Sequence, residues 1–143
     1  MVRVQRLACV IGPALAATLW LPAPAAAQIS EQTFRGGRTG DLATLCAAPE
    51  TEVQGVAARA WCQGFIVSAG QYHGALAAAD PARERVYCLP STSDLTLDQV
   101  RTAFVAWAQA HPEYANEKAI DGLMRFAAAT WPCPAATATR SGR

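Results

Sequence analysis

The chain is 143 residues long, with a formal net charge of +1 and 16% charged residues. This length fits a single domain of ordinary size. Hydrophobic residues make up 52% of the sequence, which is enough to build a core. The balance of charge creates no strong basic field over the surface, so the composition argues against a nucleic-acid partner.

The N-terminus has the pattern of a secretory signal peptide. Arg3 and Arg6 precede an apolar stretch over residues 7–21, and an alanine run at 25–27 follows it. This order predicts a cleaved signal over residues 1–27. A membrane anchor is the alternative, but the stretch is shorter than the roughly 20 residues that cross a bilayer. We therefore expect a periplasmic protein of 116 residues with a net charge of −1 and no membrane association after cleavage.

Four cysteines remain after removal of the signal, which contains Cys9. An even number of cysteines in an exported chain predicts disulfides. Zinc ligands, in contrast, usually occur as closely spaced pairs, and no two of these cysteines are nearer than sixteen positions. Disulfides are therefore favoured over a metal site. The four residues are Cys46, Cys62, Cys88 and Cys133.

The first half of the predicted domain contains a flexible leader over residues 28–38 and two helices. The first helix covers residues 40–47, with Thr39 as its cap. The second covers residues 53–79, where apolar residues recur every three or four positions. It keeps three glycines, each of which weakens a helix by about 1 kcal/mol relative to alanine. They indicate close packing against another helix or a second copy of the chain. The glycines are Gly64, Gly70 and Gly74.

The third and fourth helices are predicted over residues 97–110 and 114–130. Thr96 and Gln99 match a capping box at the start of the third helix, and a proline lies just past the end of each. Residues 134–143 have no apolar period and are predicted to be a disordered tail. The sequence therefore predicts an all-α fold, a small single-domain bundle of about four helices with two disulfides.

The connection between the third and fourth helices is short, so the two should form an antiparallel hairpin. The start of one helix then lies beside the end of the other, which brings Cys88 close to Cys133. A short connection also places Cys46, at the end of the first helix, near Cys62 in the second. Of the three possible pairings, we predict Cys46–Cys62 and Cys88–Cys133.

The sequence contains no recognisable catalytic or cofactor motif. Ser68 lies within a predicted helix, and Ile66 occupies the position where a nucleophile elbow requires glycine. His73 is best explained as a core residue and His111 as a residue at a helix C-terminus. Motifs for zinc proteases, phosphate-binding loops and haem attachment are missing from the sequence. We therefore predict a binding protein, not an enzyme, that uses no cofactor or metal.

The connection between the second and third helices, about residues 80–92, is the longest segment of the domain without an apolar period. Long ordered loops in compact domains are usually functional or mobile. Arginine and tyrosine are favoured at interfaces, and Cys88 could hold the loop in shape before a partner arrives. A solvated connector is the alternative, in which case a helix face would bind instead. The residues predicted to bind a partner are Arg83, Glu84, Arg85 and Tyr87.

Several short motifs occur in a characteristic order. They are Gly40-Asp41-Leu42, Trp61-Cys62-Gln63-Gly64-Phe65-Ile66, Cys88-Leu89-Pro90, His111-Pro112-Glu113 and Trp131-Pro132-Cys133. With all four cysteines in place, the pattern over residues 39–133 resembles the Rap/Tai family of periplasmic immunity proteins. Two positions depart from that pattern, because Ser68 replaces a helix glycine and Gln71 replaces an acid that is common there. These changes could alter partner choice or helix packing without altering the fold.

The resemblance implies an immunity protein that binds and blocks a type VI secretion effector in the periplasm. The expected protein partner is a peptidoglycan amidase. A small disulfide-bonded periplasmic chaperone is the alternative, although a weakly charged chain has few ionisable groups to drive an acid-dependent switch. A toxin gene beside the gene for this chain would favour immunity.

Overall fold

The computed structural model describes residues 29–90 and 94–134. Over these residues the fold is all-α, as predicted, with five helices and one isolated antiparallel bridge between Arg38 and Lys118. The predicted signal over residues 1–27 and most of the predicted tail lie outside the described residues. The helices are α1 (Glu31–Phe34), α2 (Thr39–Ala47), α3 (Val53–Ala79), α4 (Leu97–Ala110) and α5 (Ala119–Thr130), with a 3₁₀ turn at Pro112–Tyr114.

The core is built around α2, which packs against α3, α4 and α5. Leu42 and Leu45 of α2 are fully buried. Phe104 of α4 and Phe126 of α5 meet edge to face over this core, with ring centroids 5.6 Å apart. Burying each large apolar side chain stabilises the fold by about 1.5–3 kcal/mol, so the helices around α2 form a firm base for the loops between them.

The helices α3 and α4 have the bounds predicted for the second and third helices. The capping box at the start of α4 is present, because the Thr96 hydroxyl accepts from the Gln99 N–H at 3.2 Å and the Gln99 side chain accepts from the Thr96 N–H at 2.8 Å. Only residues near the start of α3 are buried, the last of them Cys62. The rest of α3 therefore runs along the edge of the core with much of its surface exposed.

The predicted fourth helix begins too early, since α5 starts at Ala119. The carbonyl groups of Ala115 and Glu117 accept hydrogen bonds from Gly40 N–H at 3.0 Å and Thr39 N–H at 2.9 Å. These N–H groups at the start of α2 have no partner within their own helix. The segment before α5 satisfies them and for that reason does not continue the helix. Thr39 is the first residue of α2, not its cap as predicted, and its hydroxyl lies 3.4 Å from the Glu117 carbonyl.

Part of the predicted flexible leader has defined structure. Residues 31–34 form α1, and the Ser30 hydroxyl caps it by accepting from Thr33 N–H at 3.2 Å. Gly36 then adopts a φ of +56°, and a Cβ at this position would collide with the Trp61 ring. This part of the leader thus packs against α3, and the flexibility predicted for the leader stays a prediction.

Both predicted disulfides are confirmed. Cys46–Cys62 joins α2 to α3, and both of its residues are fully buried. Cys88–Cys133 joins the connection after α3 to the segment after α5. One bridge therefore lies inside the core, whereas the other fixes a loop at its edge.

Candidate functional site

The candidate site begins where α3 ends. Asp80 organises a turn there, because its carbonyl accepts from Arg83 N–H at 3.0 Å and its carboxylate accepts from Ala82 N–H at 3.1 Å. The next residues, Arg83, Glu84 and Arg85, are exposed. None of these three forms an ion pair with another residue in the described part of the chain. Their charges are therefore available to a partner, in keeping with the predicted role of this loop.

Tyr87 has a different position from the one expected of a contact residue. It is only 8% exposed, and its ring stacks on His73 of α3 with centroids 4.1 Å apart and planes inclined by 15°. The Trp131 ring is tilted against the Tyr87 ring, with centroids 6.4 Å apart. Burial raises the pKa of the Tyr87 phenol above its ordinary value. Tyr87 therefore supports the loop from beneath, and its predicted contact with a partner stays a prediction.

A second anchor lies beside Tyr87. The disulfide Cys88–Cys133 follows it directly, and the Cys88 N–H donates to the Trp131 carbonyl at 2.9 Å. The aromatic stack and the covalent bridge thus fix two consecutive residues of the loop. This arrangement agrees with the expectation that Cys88 holds the loop in a defined shape.

An apolar cavity of about 160 Å³ lies next to Tyr87. Its walls come from α3, α4, α5 and the residues that flank the Cys88–Cys133 bridge. Leu89 also lines it and is 52% exposed. Sequence patterns did not reveal this cavity, because it forms only when four separate elements meet. The lining also includes Ile66, Met124, Phe126 and Trp131.

Two further concave regions continue from the apolar cavity along α3. The first, here called the connecting groove, shares Tyr87 and Leu89 with the cavity and is also lined by Arg85. The second, here called the arginine recess, has a volume of about 290 Å³ and is lined by Arg83 and Arg85 together with Glu84. The three regions adjoin one another through shared lining residues and are together called the depression, which is apolar at one end and has two arginines in its lining at the other.

His111 has the structural position predicted for it, whereas His73 is only partly buried and lies outside the core cluster. His73 lies in the stack with Tyr87, and its Nε2 is buried without a hydrogen bond to a described protein atom. His111 is the C-cap of α4, with Nδ1 2.8 Å from the Trp107 carbonyl. No group of three or more histidine, cysteine, aspartate or glutamate residues suited to a metal occurs within residues 29–90 and 94–134.

A second polar cluster lies at the far end of α4. The rings of Trp107 and Tyr114 are stacked with centroids 5.7 Å apart, and the Arg125 guanidinium lies 4.8 Å from the Tyr114 centroid. Glu117 already accepts two hydrogen bonds from Arg125, at 2.7 and 3.2 Å. These bonds raise the pKa of the Arg125 guanidinium. Because its charge is satisfied internally, this cluster is a weaker candidate for binding than the loop.

The family comparison covers α2 to α5 and both disulfides. The model of the Rap1a immunity proteins matches residues 38–133. The chain belongs to this family. Comparison with the curated proteins and with the solved structures gave no match.

Membership of the Rap1a immunity proteins indicates which class of partner the site would bind. An immunity protein acts by binding a protein effector, so the exposed arginines and the depression beside them are candidates for a protein interface. The family also favours an inhibitor over an enzyme. None of the helices within the described residues is both long and apolar enough to cross a membrane.

Proposed function

We propose that this Rap1a immunity protein acts in the periplasm, where it binds and blocks a type VI secretion effector that hydrolyses peptidoglycan as an amidase. The observation that carries the proposal is the family match over residues 38–133. That range contains both disulfides and the loop with its exposed arginines. The secretory pattern of residues 1–27 and the two disulfides support an oxidising compartment.

The proposal can be tested in cells that express a candidate amidase directed to the periplasm. Co-expression of the full chain should prevent lysis. The same chain without residues 1–27 should not protect, because it stays in the cytoplasm, away from its target. Equal protection by both forms would contradict the periplasmic site of action. Failure of both forms against every peptidoglycan amidase encoded beside the chain would contradict the amidase target.

We further propose that Arg83, Glu84 and Arg85 contact the effector, while Tyr87 holds the loop in position. Arginine combines a large contact area with directed hydrogen bonds, which makes it effective at the centre of interfaces. Replacing Arg83 and Arg85 together by alanine should weaken effector binding by about tenfold or more, as expected for loss of interface anchors. Arg35→Ala, at an exposed residue of α1's C-terminal end, is the matched control. Unchanged affinity in the double variant would move the interface to a helix face.

We also propose that a second copy of the chain is a partner, and that the two copies form a homodimer through the exposed face of α3. From Ala60 to Ala79 this helix contains no aspartate, glutamate, lysine or arginine. A Cβ at Gly64 would meet nothing within 4 Å, so the backbone there is open to a neighbour. Gly64→Arg should leave the monomer folded but block close approach, and Gly64→Ala serves as the conservative control. Sedimentation that shows a monomer for the unmodified chain at all concentrations would reject the dimer.

A further inference from the structure

The depression along α3 combines the apolar cavity with the positive charges of Arg83 and Arg85, which form no ion pair in the described residues. The apolar cavity, the connecting groove and the arginine recess share lining residues, so a single extended segment could lie across all three. We propose, as a consequence of the proposed function, that this depression receives a segment of the effector in which an apolar side chain is followed two residues later by an acidic side chain.

The apolar end has the size of one side chain. Its volume of about 160 Å³ is close to that of an engineered apolar protein cavity, roughly 150 Å³, that stays dry and binds benzene. Ile66, Phe126 and Trp131 are among its walls, so it offers carbon surface to a phenylalanine or leucine side chain. Burying such a group corresponds to about tenfold or more in affinity.

The other end selects for charge. Arg83 and Arg85 place two guanidinium groups in the lining against the single carboxylate of Glu84. Arginine binds carboxylates through paired, charge-assisted hydrogen bonds. Since Arg85, unlike Arg83, lines both the recess and the connecting groove, it is the arginine nearer the path of an incoming segment. A carboxylate on that segment would be attracted, and an ammonium group would be repelled.

The spacing in the effector segment follows from the loop itself. Arg85 and Tyr87 are two residues apart, a span of at most about 7 Å. In an extended segment, side chains two residues apart point to the same side, so they can address the cavity and Arg85 together. The stack of Tyr87 on His73 and the bridge at Cys88 fix the wall between the two ends. A preformed wall reduces the entropy lost on binding.

The experiment uses blocked tripeptides in place of the unidentified effector. Binding of acetyl-Phe-Ser-Glu-amide to the protein with both disulfides intact is followed by NMR, through the Trp131 indole, the Met124 methyl and the Arg85 Nε signals. We expect saturable shifts at all three. The matched peptide with glutamine in place of glutamate should bind about two- to fivefold more weakly, as for loss of an exposed ion pair. The peptide with alanine in place of phenylalanine should bind about tenfold more weakly or worse.

A pair of protein variants assigns the charge preference to one residue. Arg85→Gln should bind the glutamate and glutamine peptides equally, whereas Arg35→Gln, at an exposed arginine of another surface, should keep the preference. Equal binding of all three peptides by the unmodified protein overturns the proposal. Cavity signals that move with protein concentration alone also overturn it, because a second copy of the chain would then occupy the depression.

The outcome is independent of the lysis assay. If the chain protects cells but the peptides produce no saturable shift, the immunity function stands and the inference about the depression fails. If the peptides bind with the expected preferences but the chain protects against no effector, the recognition chemistry stands and the proposed target fails.

Discussion

Tyr87 carries a titratable group whose environment changes on unfolding. Burial raises the pKa of its phenol above the ordinary value of 10.0, so the unfolded chain loses this proton at a lower pH than the native protein. The contribution of Tyr87 to the free energy of unfolding is therefore complete below about pH 10 and declines as pH rises through the native pKa. Tyr87→Phe should show a smaller loss of unfolding free energy between about pH 9 and pH 11 in urea titrations. An equally steep loss in both proteins would contradict this assignment.

His73 has a buried ring nitrogen whose loss of contact with water is not offset by a hydrogen bond to a described protein atom. Its Nε2 lies against no hydrogen-bonding protein atom in the described residues, and an unsatisfied buried polar group costs about 1–3 kcal/mol. His73→Phe keeps a ring for the stack on Tyr87 and removes that cost. We expect the free energy of unfolding to stay level or rise by about 1 kcal/mol. A fall of similar size in chemical denaturation would show that the imidazole has a favourable partner.

The two ends of the depression differ in how far sequence could predict them. The exposed run at residues 83–85 follows from local composition, since charged residues between helices remain in water. The burial of Tyr87 does not, because its ring partner His73 is fourteen residues earlier in the chain and lies on a different element. From the sequence alone, a tyrosine next to arginines is expected to contact a partner; the stack of Tyr87 on His73 is visible only in the structure.

The helix bounds also fall into two groups, those that local sequence determines and those that contacts with distant residues determine. The bounds of α3 and α4 were predicted correctly because they depend on local signals, namely periodicity, the Thr96–Gln99 box and prolines. The start of α5 depends instead on hydrogen bonds to the first N–H groups of α2, far away in sequence. Only the folded chain shows that the segment at 115–118 serves another helix.

The contact between α2 and α5 depends on the absence of a side chain at Gly122. A Cβ there would collide with the buried side chain of Thr39, which itself bonds to the segment before α5. Gly122→Ala should therefore lower the free energy of unfolding by about 1–3 kcal/mol, as overpacking of a core does. Gly37→Ala is a suitable control, since nothing lies within 4 Å of a Cβ at that residue. Equal stability of the two variants in urea would contradict the tight contact.

At the scale of the whole molecule, the two disulfides have separate tasks. Cys46–Cys62 lies in the core between α2 and α3, where both residues are fully buried. Cys88–Cys133 lies at the periphery and closes a much longer loop, with a sequence separation of 45 positions against 16. The second bridge encloses α4 and α5 and carries the wall of the depression, so it couples stability to the shape of the binding surface.

Removal of the peripheral bridge should therefore change both stability and binding. In the chain-entropy model, a loop of this length makes the bridge worth about 4 kcal/mol. The double variant Cys88→Ala with Cys133→Ala leaves no free thiol behind and should lower the Tm by roughly 15–30 °C for a domain of this size. Below that temperature the core around α2 should keep its helical circular dichroism, because Cys46–Cys62 remains.

The same variant should bind acetyl-Phe-Ser-Glu-amide more weakly, since the residue between Tyr87 and Leu89 is no longer anchored by a disulfide. A variant that melts early but binds the peptide as well as the unmodified protein would show that the stack on His73 alone fixes the loop. An unchanged Tm under oxidising conditions would contradict the stabilising role of the bridge. Measuring both quantities on one protein separates the bridge's contribution to the fold from its contribution to the interface.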